Sequence, residues 1–187
     1  MIYETLVTTQ NEDGLAHIAP MGIHRHGDEY VILPFRPSTT LANILATGVA
    51  VLNYSDDVRV FAGCLTGRRD WPLTAAVKIN APILADSLAH TELQLLRVDE
   101  DEIRPKLFCT AVHHVNHAPF QGFNRAQFAV LEAAILVSRL SMLPPEKITA
   151  ELDYLRIGFE KTAGERERIA WDWLMAAIDD FNKANSK

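Results

Sequence analysis

The amino-acid pattern predicts a mainly β (α+β) fold, a closed or half-open barrel over residues 1–120 followed by a helical C-terminal subdomain over residues 121–187. Three observations carry this reading. Runs of β-branched and aromatic residues, separated by Gly- and Asp-containing turns, fill the first part. After Asn124 the apolar residues recur at helical spacing. With 48% hydrophobic and 22% charged side chains, 187 residues suffice for one core and an appendage.

The elements follow in order. Residues 2–9 form the first strand, and Asp13-Gly14 supplies the left-handed position that a hairpin turn needs. Residues 15–24 and 29–35 continue an antiparallel meander, turned by His26-Gly27-Asp28. The period then changes. Ser38, a hydroxyl cap, precedes apolar Leu41, Ile44 and Leu45, and Gly48 closes a short helix. Residues 49–54, VAVLNY, read as a buried strand. Residues 88–98 and 103–115 are two more strands joined by an acidic turn, while residues 56–85 show no clear period.

In the C-terminal part Val130, Ala133, Ala134, Val137 and Leu140 share a helical face. Pro144-Pro145 ends that helix and starts the next, which runs to about residue 160. Thr162 and Glu165 have capping-box spacing and open a last helix with Ile169, Trp173, Ala176 and Ala177 on its apolar face. Trp171 and Trp173 point to different faces, so one of them packs on the barrel or on another subunit.

Composition narrows the function classes. A net charge of −6 argues against a nucleic-acid partner, whose footprint is a basic field. No apolar run approaches the ~18 residues of a membrane span. The N-terminal residues lack the charged and apolar regions of a secretory signal, and two cysteines form no CxxC, so a reducing cytoplasm is the expected compartment. Cys64 and Cys109 read as buried small hydrophobes, and no nucleophile elbow is present.

The most informative segment runs from Phe35 to Asn43. A strand ends, Arg36 follows, and Ser38, Thr39 and Thr40 sit where a helix begins. Unpaired N–H groups and partial positive charge at a helix start suit a phosphate, and Arg36 adds a fork of donors. The competing reading is an ordinary N-cap beside a solvated arginine. His113, His114 and His117 suggest a metal, but four residues of strand span roughly 13 Å, too far for His113 and His117 to share one ion. No metal site is expected. Gly63–Arg69, written GCLTGRR, is either a second anion site or a solvated loop. Glu132, Arg125 and Arg139 lie at seven-residue intervals and suggest an ion-pair network.

Arg36, Ser38-Thr39-Thr40, Asn43-Ile44, Gly48 and Asn53 together resemble the flavin reductase-like FMN-binding split-barrel pattern. Ala16-His17-Ile18-Ala19-Pro20-Met21-Gly22 resembles the second strand of that superfamily. Gly122-Phe123-Asn124-Arg125-Ala126, Ser138-Arg139-Leu140 and Lys161-Thr162-Ala163-Gly164 resemble, more narrowly, the DUF447 family of split barrels with a helical extension. The resemblance implies an FMN-binding split β-barrel. It implies Arg36, Ser38, Thr39 and Thr40 as phosphate ligands, and His17, Ala19, Pro20, Met21 and Gly22 along the flavin ring. It further implies Asn53 and Asp57 as polar neighbours, and Asn124 and Arg125 as the contribution of a partner subunit in a homodimer with FMN at the interface. A flavin-dependent oxidoreductase using a nicotinamide or deazaflavin donor is the implied activity, with no catalytic acid or base named. A non-enzymatic FMN-binding or sensing protein and a flavin-free interaction module are the alternatives.

Overall fold

A computed structural model describes residues 1–185. Its contacts divide the chain into a barrel unit, Met1–Ser55 with Asp70–Phe120, and a helical unit, Asp56–Arg69 with the chain from Gln121 onward.

The barrel unit contains β1 (Ile2–Gln10), β2 (Ala16–His26), β3 (Glu29–Ile32), α1 (Thr39–Thr47), β4 (Val49–Tyr54), β5 (Leu73–Ala75), β6 (Pro82–Leu84), β7 (Ala89–Asp99) and β8 (Lys106–Asn116). Six strands close in the order β1-β2-β3-β8-β7-β4, every neighbour antiparallel. Alternation along the strands sends Val7, Ile23, Ile32, Ala50, Leu52, Leu93, Leu107 and Cys109 into one core. Leu41 and Ile44 of α1 join that core, so the helix packs on β1 and β2. Its start is capped by the Ser38 hydroxyl, which accepts the Leu41 N–H at 3.3 Å. It ends at Gly48, whose φ of 73° is costly for any residue with a Cβ.

The continuous apolar character of β4 has a structural reason. Ala50 and Leu52 face the barrel core, while Val51 faces outward against Ala81 and Ile83 beneath the β5–β6 hairpin. The same outer face carries Asn53, which is fully buried. Its amide donates to the Leu6 carbonyl at 3.0 Å and the Thr8 hydroxyl at 2.9 Å. Its carbonyl oxygen accepts the Leu84 N–H at 2.8 Å. One side chain thus ties β1, β4 and β6 together.

Two strand boundaries differ by three residues from the sequence-based expectation. β3 ends at Ile32 rather than residue 35, because residues 33–36 bond to the β7–β8 turn: Arg104 donates to the Leu33 carbonyl at 3.1 Å, and the Arg36 N–H donates to the Ile103 carbonyl at 2.8 Å. β8 begins at Lys106 rather than residue 103, since Asp101 accepts the N–H groups of Ile103 and Arg104 at 2.9 and 2.7 Å and folds them into an Asx-type turn.

The helical unit holds α2 (Val58–Leu65), α3 (Arg125–Val137), α4 (Pro145–Thr162) and α5 (Glu165–Asn185). α2, from the segment without a clear period, buries Val58 and Ala62 against α3 and α5. Alanines at 126, 129, 133 and 134 let the neighbouring helices approach α3 closely. The cap of α5 lies two residues later than the sequence suggests: Glu167 reaches back to the Gly164 N–H at 3.0 Å, while Thr162 ends α4 and donates to the Gly158 carbonyl. The buried face of α5 is Ala170, Trp171, Leu174 and Ile178 rather than Ile169, Trp173, Ala176 and Ala177, because that stripe offers the larger side chains to bury. Both tryptophans pack within this unit, Trp171 stacked on Phe159 at 4.5 Å and Trp173 beneath the Arg68 guanidinium at 4.4 Å. Among the described residues no helix is long and apolar enough to cross a membrane.

Replacing Asn53 strands the buried Leu84 N–H, while the Thr8 hydroxyl keeps the Pro82 carbonyl as its acceptor. Asn53→Ala is expected to lose about 2–4 kcal/mol, read as a lower denaturation midpoint in urea with an unchanged slope.

Candidate functional site

A closed barrel has no free edge unless one strand outruns its neighbour, and here β2 does. All of Ala16–His26 except its last two residues pairs with β1, from Gln10↔Ala16 to Ile2↔His24. β3 meets β2 only at Ile23, His24, Arg25 and His26. Among the described residues no strand pairs with the other edge of residues 16–22, which leaves backbone N–H and C=O groups for a ligand to meet. The sequence-predicted residues His17, Ala19, Pro20, Met21 and Gly22 lie on this edge. Met21 packs against the barrel core, and Ala19 and His17 follow on its face at two-residue spacing. Gly22 has a steric reason: a Cβ there would lie 3.0 Å from Ile2 Cγ2 and 3.3 Å from Glu4 Oε1.

The second component is the approach to α1, which packs on β1 and β2. The peptide bond between Arg36 and Pro37 is cis, and the Arg36 N–H is anchored on Ile103. The Arg36 guanidinium is 42% exposed and bonds Glu100 at 2.8 Å in a surface ion pair. Such a pair contributes little and exchanges readily for a stronger anion. Ser38 is the cap, Thr39 is exposed in the first turn, and Thr40 is buried. The first N–H groups of the helix, the Ser38 and Thr39 hydroxyls and Arg36 form a local positive site in an acidic protein.

Of the remaining candidates, Asn53 belongs to the barrel unit and Asp57, Asn124 and Arg125 to the helical unit. Asn53 is the internal tie described above. Asp57 is the N-cap of α2, accepting the Arg59 N–H at 3.1 Å and pairing with the Arg59 guanidinium. Asn124 caps α3 by accepting the N–H groups of Ala126 and Gln127 at 2.7 and 3.3 Å. Arg125 is the first residue of α3. No described ion pair links Arg125, Glu132 and Arg139: seven residues span two helical turns, about 10.5 Å of rise. Gly63, Cys64 and Leu65 complete the last turn of α2, where Arg68 covers helix-end carbonyls by donating to Gly63 and Thr66. A helix C-terminus is unfavourable for an anion.

A polar cluster on the outer barrel face escaped sequence reasoning. Glu92 is fully buried and accepts the N–H groups of Val77, Lys78 and Ile79 at 2.8, 2.7 and 3.1 Å. Burial alone would raise its carboxyl, but these bonds and His90 hold it below the ordinary carboxylate value. His90 lies 3.4 Å from Glu92 through Nε2 and 2.8 Å from His117 Nε2 through Nδ1. On the opposite, inward face Thr91 bonds Tyr54 and His114 at 3.1 and 2.9 Å. The alternation His90, Glu92 was the available sequence signal; its partners lie in the β5–β6 loop and just past the end of β8. Burial pushes the Cys64 thiol up to about 11 and the Cys109 thiol up to about 12, so neither is a nucleophile near neutral pH.

Comparison with known proteins covers most of the chain. Residues 3–118 match the model of the N-terminal domain of a protein of unknown function (DUF447), and residues 124–176 match the model of the C-terminal part. The fold is similar to an FMN-bound protein of the archaeon Methanosarcina mazei assigned to DUF447, with a TM-score of 0.80 at 19% identity over 94% of each chain. It is also similar to the 2-nitrobenzoate 2-nitroreductase of Pseudomonas fluorescens, with a TM-score of 0.54 at 24% identity over 61% of this chain and 64% of that one. An FMN-binding protein of Thermus thermophilus aligns with a TM-score of 0.53 at 14% identity over 60% and 69%. These likenesses establish the split-barrel fold.

The histidine cluster makes stability pH-dependent. Burial holds the His90 imidazole below its ordinary 6.5, outweighing the pull of Glu92. The unfolded chain therefore takes up a proton that the folded chain refuses, and stability is lost as the pH falls below about 6.5. Urea titrations should show that fall in the wild type and a flatter profile over the same range in His90→Phe.

Proposed function

We propose, from the premise that this chain belongs to the DUF447 family, that it is an FMN-binding oxidoreductase of flavin reductase-like type. The observation that carries the reading is the pairing, within one unit, of the open β2 edge with a positively polarised helix start on the element packed beside it. An FMN phosphate needs several N–H and hydroxyl donors and a cation. The first N–H groups of α1, the Ser38 and Thr39 hydroxyls and Arg36 supply them, with buried Thr40 contributing through its backbone alone. A flavin ring needs a flat apolar surface and peptide groups along its polar rim, which residues 17–22 with Met21 provide. The FMN bound to the Methanosarcina protein of the same family supports the cofactor.

When bound, FMN supplies two-electron chemistry, taking hydride from a donor and passing it on. The protein's part is to hold the phosphate at α1, to align the ring along β2 and to keep water from one of its faces. The donor we assign is a nicotinamide or deazaflavin. Ile2 and Tyr3 on β1, Leu15 just before β2 and Phe35 in the loop before α1 are exposed apolar residues. They support a homodimer in which a second copy covers the outer face of the flavin.

Arg36→Ala is expected to weaken FMN binding roughly tenfold to hundredfold with the thermal midpoint unchanged, measured by fluorescence quenching of added FMN. Unaltered affinity sinks the phosphate assignment. Glu100→Gln releases Arg36 and removes a nearby negative charge, so FMN should bind about two- to fivefold tighter at low salt and equally at high salt. Anaerobic addition of NAD(P)H or a reduced deazaflavin should bleach the flavin absorbance; persistent oxidised flavin with every donor favours a binding or sensing protein. Failure to bind FMN at all leaves a flavin-free module. Sedimentation should report a dimer, and a monomer at all concentrations removes the interface.

A further inference from the structure

We propose that the helical unit carries a second ligand site, a cavity on the α3–α4 face that takes a planar aromatic carboxylate. The cavity is an open cleft of about 300 Å³, and all the residues that line it belong to this one unit. Its walls are Phe123, Phe128, Tyr154, Leu155 and Ile157, and its charged group is Arg125. The volume sits at the lower end for small-ligand pockets, enough for one or two fused rings. No acidic residue lines it.

Arg125 is placed against electrostatic preference. It is the first residue of α3, where the helix end favours an anion, and the first turn holds no acidic side chain to offset it. Among the described residues no carboxylate pairs with its guanidinium, and Asn124 already satisfies the N–H groups of Ala126 and Gln127. The guanidinium lies across Gly158 of α4, with Nε and Nη2 each 3.4 Å from where a Cβ would stand. Alanine there would only touch it, and a longer side chain would displace it. A helix-interior glycine is an expensive choice that here leaves the arginine flat against the backbone. Around this one cation Phe123, Phe128, Tyr154 and Ile157 are 99%, 54%, 69% and 52% exposed. Exposed apolar side chains gathered around one cation suit a ligand, and the single positive charge among aromatic walls selects a flat, negatively charged one. A carboxylate meets the guanidinium fork through two parallel bonds while the ring lies between Phe128 and Tyr154. The inference uses only the helical unit and does not depend on the flavin reading.

The test is calorimetric titration of the full-length protein with naphthoate, and with naphthamide, which keeps the ring and removes the charge. Naphthoate is expected to bind at least tenfold tighter than naphthamide to the wild type. In Arg125→Gln the two should bind alike, with unchanged thermal unfolding. Gly158→Leu, which fills the cavity, should abolish binding of both while the helical circular-dichroism signal is retained. Equal affinities in the wild type, undiminished naphthoate binding in Arg125→Gln, or displacement of naphthoate by FMN would each overturn the proposal.

Discussion

The length mismatch between β2 and β3 is the constraint on which the rest of the barrel unit depends. β2 runs eleven residues and β3 only four, so a barrel that is otherwise closed leaves one stretch of β2 paired on a single side. Unpaired backbone in a folded interior is unfavourable unless water or a ligand meets it. The chain leaves β3 early because residues 33–36 are held by the β7–β8 turn. That same tether delivers Arg36 and the start of α1. Open edge and positive helix end therefore have one structural cause.

The outer layer obeys a different rule. The β5–β6 hairpin and its loop are too short to stand alone. They are fastened by two buried polar side chains, Asn53 to Leu84 and Glu92 to residues 77–79. Every buried polar side-chain atom among the described residues has a partner, which is what makes such groups tolerable in a dry layer. His90 extends the Glu92 anchor toward His117, giving a hydrogen-bonded chain that ends at an exposed imidazole.

The helical unit is built around small residues rather than large ones. Four buried alanines on α3 bring α2, α4 and α5 close, and α2, which follows β4 in the sequence, shares this core. The family correspondence extends into this unit through residues 124–176. The nitroreductase and Thermus protein align over 61% and 60% of the chain.

Local signals in the amino-acid order determined the strands, turns and caps: Asp13-Gly14, the Ser38 cap, Gly48 and the Pro144-Pro145 break all act within a few residues of themselves. They also determined the grouping of Arg36 with Ser38, Thr39 and Thr40, because all four lie within five consecutive residues. Tertiary structure alone decided the uses of Asn53, Asp57 and Glu92. Each is a short polar side chain whose partners come from elsewhere in space or from a helix that hydrophobic periodicity did not reveal. It likewise decided which stripe of α5 is buried, since two apolar stripes compete on that helix and only packing chooses the larger. The open edge of β2 was beyond sequence reasoning for a further reason: an unpaired strand edge is a property of the strand next to it, set by where that neighbour stops.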